Sequence, residues 1–240
     1  MYDITIIGGS LSGLISAINL SDDYSICIID INQEIGFPTN FPGFSNNIDL
    51  VKNILSKEDQ SNLYLQENNI GWGLRSEWLI KYLTQLSAKK GVDIINRTRV
   101  TNIFFEDNFN IEIIGGGPQN NIINSKIIID ETKQIHSGPG EKNHTILIEN
   151  DKLINIESEL CGYFSGIIPT KNSPKLDNTL FQINRDDGLT EFWFNNKPEN
   201  HIDWIEIKSC NSPTILGPMV IDDYFTRADE ISKQSRKLLT

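Results

Sequence analysis

Six residues, Gly8-Gly9-Ser10-Leu11-Ser12-Gly13, stand between an apolar run and a helical pattern, and Asp30 closes a second apolar run, Ser25-Ile26-Cys27-Ile28-Ile29. The chemistry this spacing suits is the holding of a dinucleotide. Gly8 permits a tight exit from a strand, Gly13 lets a helix pack close on the sheet, and the N–H groups at the helix start receive a pyrophosphate at the positive end of the dipole. An acid about 20 residues further on takes the ribose hydroxyls, and Asp30, with Ile31 beside it, has that place. The middle glycine of the fingerprint is replaced by Ser10, with a glycine displaced to Gly9, so the approach to the phosphates carries a hydroxyl that can donate a hydrogen bond. A Gly-Gly turn alone also serves ordinary α/β proteins; the strand ahead of it and the spacing of Asp30 favour the dinucleotide. That reading requires the helix mouth to be open to a diphosphate and Asp30 to be directed at it.

Other candidates are sparser. Arg75 sits just ahead of a helix start, between Gly71-Trp72-Gly73 and Ser76, where it either binds a phosphate or ligand edge or makes a surface salt bridge. His136, His144 and His201 lie in polar stretches with no nucleophile or carboxylate at a telling spacing, so neither a triad nor a metal cluster is expected. Asp186 and Asp187 are explained by a turn. Cys27, Cys161 and Cys210 are far apart and form no Cys-x-x-Cys pair, which reads as reduced thiols in a cytoplasmic protein.

The elements that must position these groups follow from periodicity. Asp3 to Ile7 is a strand, Leu14, Ile15, Ala17 and Ile18 continue as a helix, and Ser25 to Ile29 is the second strand. Residues 32–47, rich in Gly and Pro, form a loop with no regular element, whose phenylalanines either face a planar ring or, the better-supported role, fill core. Lys52 to Asn69 reads as a polar helical or mixed segment. A helix capped by Ser76 buries Leu79, Tyr82, Leu83 and Leu86 and closes at Lys89-Lys90-Gly91, and a strand follows from Val92 to Ile95. Arg99–Phe105, Phe109–Ile114 and Ile122–Asp130 form an antiparallel meander that returns to the parallel sheet. Ser158–Pro169 and the hairpin Leu180–Phe194, turning at Arg185-Asp186-Asp187-Gly188, make a second sheet. Its aromatics Tyr163, Phe164, Phe192 and Trp193 either line a pocket or, more readily for any single one, pack as core. Trp204 to Cys210 is a late strand and Ile221 to Leu239 a terminal helix. Gly217-Pro218-Met219 before that helix offers backbone N–H groups to a ligand or forms an ordinary turn.

With 240 residues, 38% of them hydrophobic, the chain can bury a real core. A net charge of −11 argues against nucleic acid or an anionic membrane as partner, and no apolar stretch reaches about 18 residues, so no integral membrane segment is expected.

The succession of these motifs resembles the FAD-dependent oxidoreductases that include geranylgeranyl reductases and the aromatic-hydroxylase type of flavin monooxygenase. Glu34-Ile35-Gly36-Phe37-Pro38 is similar to the segment that follows the ribose-binding acid in the geranylgeranyl reductase branch. By the resemblance Arg75 lies near the flavin, Val100 offers its backbone to the adenine, and Asp130 is the acid of the strand-end motif. The likeness covers roughly residues 1–130. Beyond them, Asp130-Glu131-Thr132 stands where the family carries Ala-Asp-Gly, and the late Gly-Asp pair is absent. The resemblance implies an α/β fold: a Rossmann-like FAD/NAD(P)-binding parallel sheet with a β-meander and a small antiparallel substrate sheet. It places the nucleotide-binding domain at 1–135 and 202–240 and a cap at 136–201. It implies a flavoprotein oxidoreductase with FAD as cofactor, a small organic or isoprenoid substrate and NAD(P)H or another electron donor, with the flavin held by Gly36, Phe37, Pro38, Arg75, Gly217, Pro218 and Met219. Two alternatives stand beside it: a thiazole-synthase-like enzyme using NAD, and a non-catalytic dinucleotide-binding accessory protein. Substrate and oligomeric state are not legible.

Overall fold

In the computed structural model the described residues are 1–134, 144, 146, 148–156, 159–198, 201–213 and 216–240. The expected roles of His136 and of the start of the Ser158–Pro169 strand lie outside them. In chain order the elements are β1 (Tyr2–Ile7), α1 (Leu11–Leu20), β2 (Ile26–Ile29), β3 (Phe44–Ser45), α2 (Asp49–Ile54), α3 (Lys57–Ser61), β4 (Gln66–Asn68), β5 (Gly71–Gly73), α4 (Ser76–Lys89), β6 (Asp93–Ile95), β7 (Arg99–Phe105), β8 (Phe109–Ile114) and β9 (Ile122–Asp130). They continue with β10 (Leu153–Ile154), β11 (Cys161–Pro169), β12 (Phe181–Asn184), β13 (Leu189–Phe194), β14 (Glu206–Ser212) and α5 (Ile221–Leu239), with 3₁₀ turns at Thr132–Gln134 and Thr170–Asn172.

Two compact units share these elements: residues 1–38, 83–157 and 225–240, and residues 39–82 and 158–224. The first is built on a seven-stranded sheet ordered β6-β2-β1-β9-β8-β7, with β10 also on β9. β6, β2, β1, β9 and β10 run parallel, and β9, β8 and β7 form the antiparallel meander. β2 and the inner ends of β1 and β9 are continuous apolar runs because both faces of a parallel sheet are covered. α1 is buried on every side except at Asn19, in keeping with a sequence in which Ser12, Ser16 and Asn19 are the polar residues.

The second unit holds a four-stranded antiparallel sheet, β12-β13-β11-β14, and a small sheet, β3-β5-β4. Alternation along β11 and β13 gives two apolar faces: Tyr163, Trp193 and Cys210 on one, and Ile168, Phe192 and Phe194 with Trp204 on the other. Core packing is therefore the role of Tyr163, Phe192 and Trp193. The stretch 32–47 is not wholly irregular, because Phe44 and Ser45 pair with Gly73 and Trp72. Of its phenylalanines, Phe41 and Phe44 fill core, whereas Phe37 is 56% exposed. The late strand begins at Glu206 and pairs with β11 inside the four-stranded sheet.

Candidate functional site

β1 delivers the chain to the glycine turn, and the turn's geometry dictates its residues. Gly8 has φ +102°, and a Cβ there would lie 2.7 Å from the Glu131 carbonyl oxygen, so glycine is required on two counts. A Cβ on Gly9 would lie 2.6 Å from a carboxylate oxygen of Asp30 and 2.7 Å from Ile35. Ser10 is the N-cap of α1: its backbone is extended and its Oγ accepts from the Gly13 N–H at 2.8 Å. The N–H groups of Leu11 and Ser12, the next two of the helix, make no hydrogen bond among the described residues. They are the donors a helix start leaves over.

Asp30 is fully buried at the end of β2 and turned toward this turn. Its Oδ2 accepts from the Gly9 N–H at 2.6 Å and its Oδ1 from the Asn32 N–H at 2.6 Å. Of the two conditions set by the sequence, the direction of Asp30 is therefore met. The open mouth is not. The carboxylate of Glu131, 1% exposed, lies over it: Oε2 accepts from the Ser10 hydroxyl at 2.5 Å and from the Ser12 hydroxyl, while Oε1 meets the Arg227 guanidinium at 2.8 and 3.0 Å. Arg227 also donates to the Ile156 carbonyl. One buried anion already uses the positive end of α1. The seat fits a diphosphate only with Glu131 turned out of it.

The other expected residues of this unit fall as follows. Asp130 accepts from the Thr132 N–H and hydroxyl, closing the turn that carries Glu131. Val100 donates its N–H to Nδ1 of His144 at 2.9 Å. Burial, aided by nearby Arg99, lowers the His144 pKa to about 4, so at neutral pH the ring is uncharged, Nδ1 accepts and Nε2 carries the hydrogen. Nε2 finds no partner among the described residues. A cavity of about 630 Å³ opens beside the carboxyl end of β9, lined by Asp130, Thr132, Lys133, His144, Leu153 and Asn155 among others. Ile31, Gly36, Phe37 and Pro38 lie at or near the surface, with Gly36 at φ +66°.

Arg75, Gly217, Pro218 and Met219 belong to the second unit. Arg75 lies over the Tyr64 ring, with Nε 3.8 Å from Asp187 and 3.9 Å from Glu77. Its charge lies within a wider network of ion pairs: Arg185 pairs with Asp187 and Glu191, and Lys208 with Glu77 and Glu206. Burial pushes the Glu77 carboxyl up, but Lys208 and its own backbone N–H, with Arg185 and Arg75, bring it below its ordinary range. Glu191 is held above that range by burial, despite Arg185 and the Trp193 indole N–H. Asp187 is an ion-pair partner, and no cluster of three metal-binding side chains occurs among the described residues. Gly217 has φ +143°, and the Met219 N–H donates to Ser212.

Sequence reasoning missed Glu131 and Arg227, although a signal was present. Arg227 falls on the buried stripe Ile221, Tyr224, Ala228, Ile231 and Ser235, and a cation there needs a carboxylate.

No family model matches the chain, and no curated protein is significantly similar to it. Solved structures share its fold. A geranylgeranyl bacteriochlorophyll reductase-like protein from Thermoplasma acidophilum is 14% identical with TM-score 0.61, over 99% of this chain and 81% of that one. Glycine oxidase from Geobacillus kaustophilus is 8% identical with TM-score 0.61, over 98% and 95%. A variant of halogenase PltM in complex with FAD is 11% identical with TM-score 0.58, over 99% and 69%. At such identities the likeness is one of fold, shared with a reductase-like protein, an oxidase and a halogenase whose structure holds FAD. No helix among the described residues is long and apolar enough to cross a membrane.

Proposed function

We propose that this chain is an FAD-dependent oxidoreductase acting on a small organic or isoprenoid substrate, with NAD(P)H or another donor supplying electrons. The observation that supports this is the glycine turn itself: the unbonded N–H groups of Leu11 and Ser12 at the mouth of α1, with Asp30 turned toward them from β2. A bound flavin supplies hydride transfer or oxygen activation, leaving the protein to bind, orient and exclude water. In this reading, with Glu131 turned out of the seat, the two amides and the Ser10 and Ser12 hydroxyls donate to the diphosphate, Asp30 takes the adjoining ribose, and the Val100 backbone, its N–H held by His144 in this structure, meets the adenine. Asp130 holds the strand-end turn in place. Gly36, Phe37 and Pro38, which follow Asp30 in the first unit, are proposed flavin contacts on the resemblance alone.

A second reading, a non-catalytic accessory protein, is favoured by Glu131 lying on the Ser10 and Ser12 hydroxyls and by the absent Gly-Asp pair. Absorbance separates the two. A protein yellow near ~450 nm, before or after incubation with FAD, and releasing FAD on denaturation, is the expected result. A protein that stays colourless and takes up no nucleotide supports the accessory reading. Gly13→Leu is expected to abolish retention, because even a Cβ there lies 3.1 Å from Ser10 Oγ and 3.2 Å from Ile6. Unchanged retention in that variant argues against the site.

A further inference from the structure

The dinucleotide reading leaves unexplained why a buried carboxylate occupies the mouth of α1. Glu131 follows the last residue of β9, its N–H bonded to the Ile7 carbonyl at 2.9 Å, so its backbone is pinned beside the exit of β1. From there its side chain reaches both serine hydroxyls, and α5 supplies the matching cation, Arg227, at a buried position. Serine, carboxylate and arginine form one closed set. Ser10 stands where a glycine would leave room for phosphate, and its hydroxyl serves two ends, accepting from the Gly13 N–H and donating to Glu131. A carboxylate and a diphosphate seek the same donors at a helix start, since both are anions drawn by its dipole and N–H groups. Two anions a few ångströms apart in a poorly hydrated site repel strongly.

We propose that Glu131 is an internal stand-in for the diphosphate and sets the affinity for the nucleotide: the chain closes its own site when empty, and a nucleoside diphosphate enters only by displacing this carboxylate from Ser10 and Ser12. This rests on the dinucleotide reading of the same site. It gives Glu131 a role that a binding pocket does not require, that of a competitor built into the fold. Arg227 is the residue that receives the displaced side chain, since its guanidinium offers donors on more than one edge.

The test is calorimetric titration of ADP and of FAD into the wild-type chain and into the Glu131→Gln and Glu131→Asp variants, each checked for folding by circular dichroism. Glu131→Gln removes the competing charge and is expected to lower the Kd for ADP at least tenfold. Glu131→Asp keeps the charge paired with Arg227 but withdraws it by one methylene, and is expected to fall between the two; it also serves should the glutamine variant not fold. Equal affinity in all three chains overturns the stand-in role while leaving the nucleotide site intact. Weaker binding by the variants overturns it too, by making Glu131 a supporting contact. Binding by none of the three, with folding preserved, overturns the nucleotide site and the stand-in role together.

Discussion

Replacing Arg227 by alanine probes the closed mouth through stability alone, with no ligand needed. The guanidinium side chain is 7% exposed and its partner carboxylate 1%, so the pair is almost wholly out of water. The substitution removes two contacts to Glu131, at 2.8 and 3.0 Å, and one to the Ile156 carbonyl at 3.1 Å, and leaves a buried carboxylate with only serine hydroxyls for company. Breaking a buried pair from one side costs about 3–5 kcal/mol. At about 2–4 °C per kcal/mol for a chain of this size, the melting temperature should fall by roughly 6–20 °C. Thermal melting reads that shift, and urea unfolding at neutral pH, followed by two probes to establish that one transition is observed, reads the free-energy loss. The matching control is Arg236→Ala, whose guanidinium donates to the Asn19 carbonyl in an exposed contact, and which should cost under about 1 kcal/mol. Joint replacement of Glu131 and Arg227 by leucine should cost less than Arg227→Ala, since no charge is then stranded. A folded Arg227→Ala chain that loses under about 1 kcal/mol would refute the reasoning, because the mouth would then be wet and the carboxylate solvated.

Two further outcomes follow from other parts of the chain. His144 has its pKa lowered to about 4 by burial, below the ordinary value of about 6.5, so on acidification the unfolded chain takes the proton first; stability present in full above about pH 6.5 drains away as pH falls toward 4, by about 2 kcal/mol at pH 5. His144→Gln retains an acceptor for the Val100 N–H but does not titrate, so the difference between the two chains in urea unfolding should shift by that amount between pH 7 and pH 5, and a constant difference would place the ring in water. Gly73→Ala forces a Cβ to within 2.2 Å of the Asn184 carbonyl oxygen and 2.5 Å of Ile183, and should cost about 1–3 kcal/mol in thermal melting, whereas tolerance would mean that β5 and β12 approach less closely.

The parallel sheet and its meander could be read from the chain because their strands announce themselves locally. Arg99–Phe105, Phe109–Ile114 and Ile122–Asp130 have the expected limits, bounded by Gly and Asn turns, and Ile221–Leu239 is the expected terminal helix. Small elements escaped because no local pattern encodes them. β3 is two residues, Phe44 and Ser45, made a strand only by the partner it meets in β5. The membership of β14 is decided by its pairing with β11, from Cys161 with Ser212 to Ile167 with Glu206, contacts distant in sequence that no periodicity reports. Ser76, expected as the cap of α4, is its first helical residue, with its side chain buried.

The site divides along the same line. Gly8, Gly13 and Asp30 carry backbone constraints that the residue types declare: a positive φ, a close approach, an acid at a strand end. What the types do not declare is which anion the turn holds. Ser10 in place of glycine was visible, and read alone it meant a hydroxyl offered to a phosphate; its partner is 121 positions away, on the far side of the sheet's connectivity, and only the fold brings them together. The substitution and the partner are nonetheless one physical event. A glycine at position 10 would leave Glu131 a single serine hydroxyl, and a buried carboxylate with fewer donors is costly to keep. Serine at 10, glutamate at 131 and arginine at 227 stabilise one another, and each is hard to explain by itself. A Ser10→Gly chain should therefore lose stability while leaving Glu131 freer to move, so lower melting temperature and tighter ADP binding are expected in the same variant. Tighter binding with unchanged melting would mean that the serine only obstructs the phosphate and does not hold the carboxylate at all.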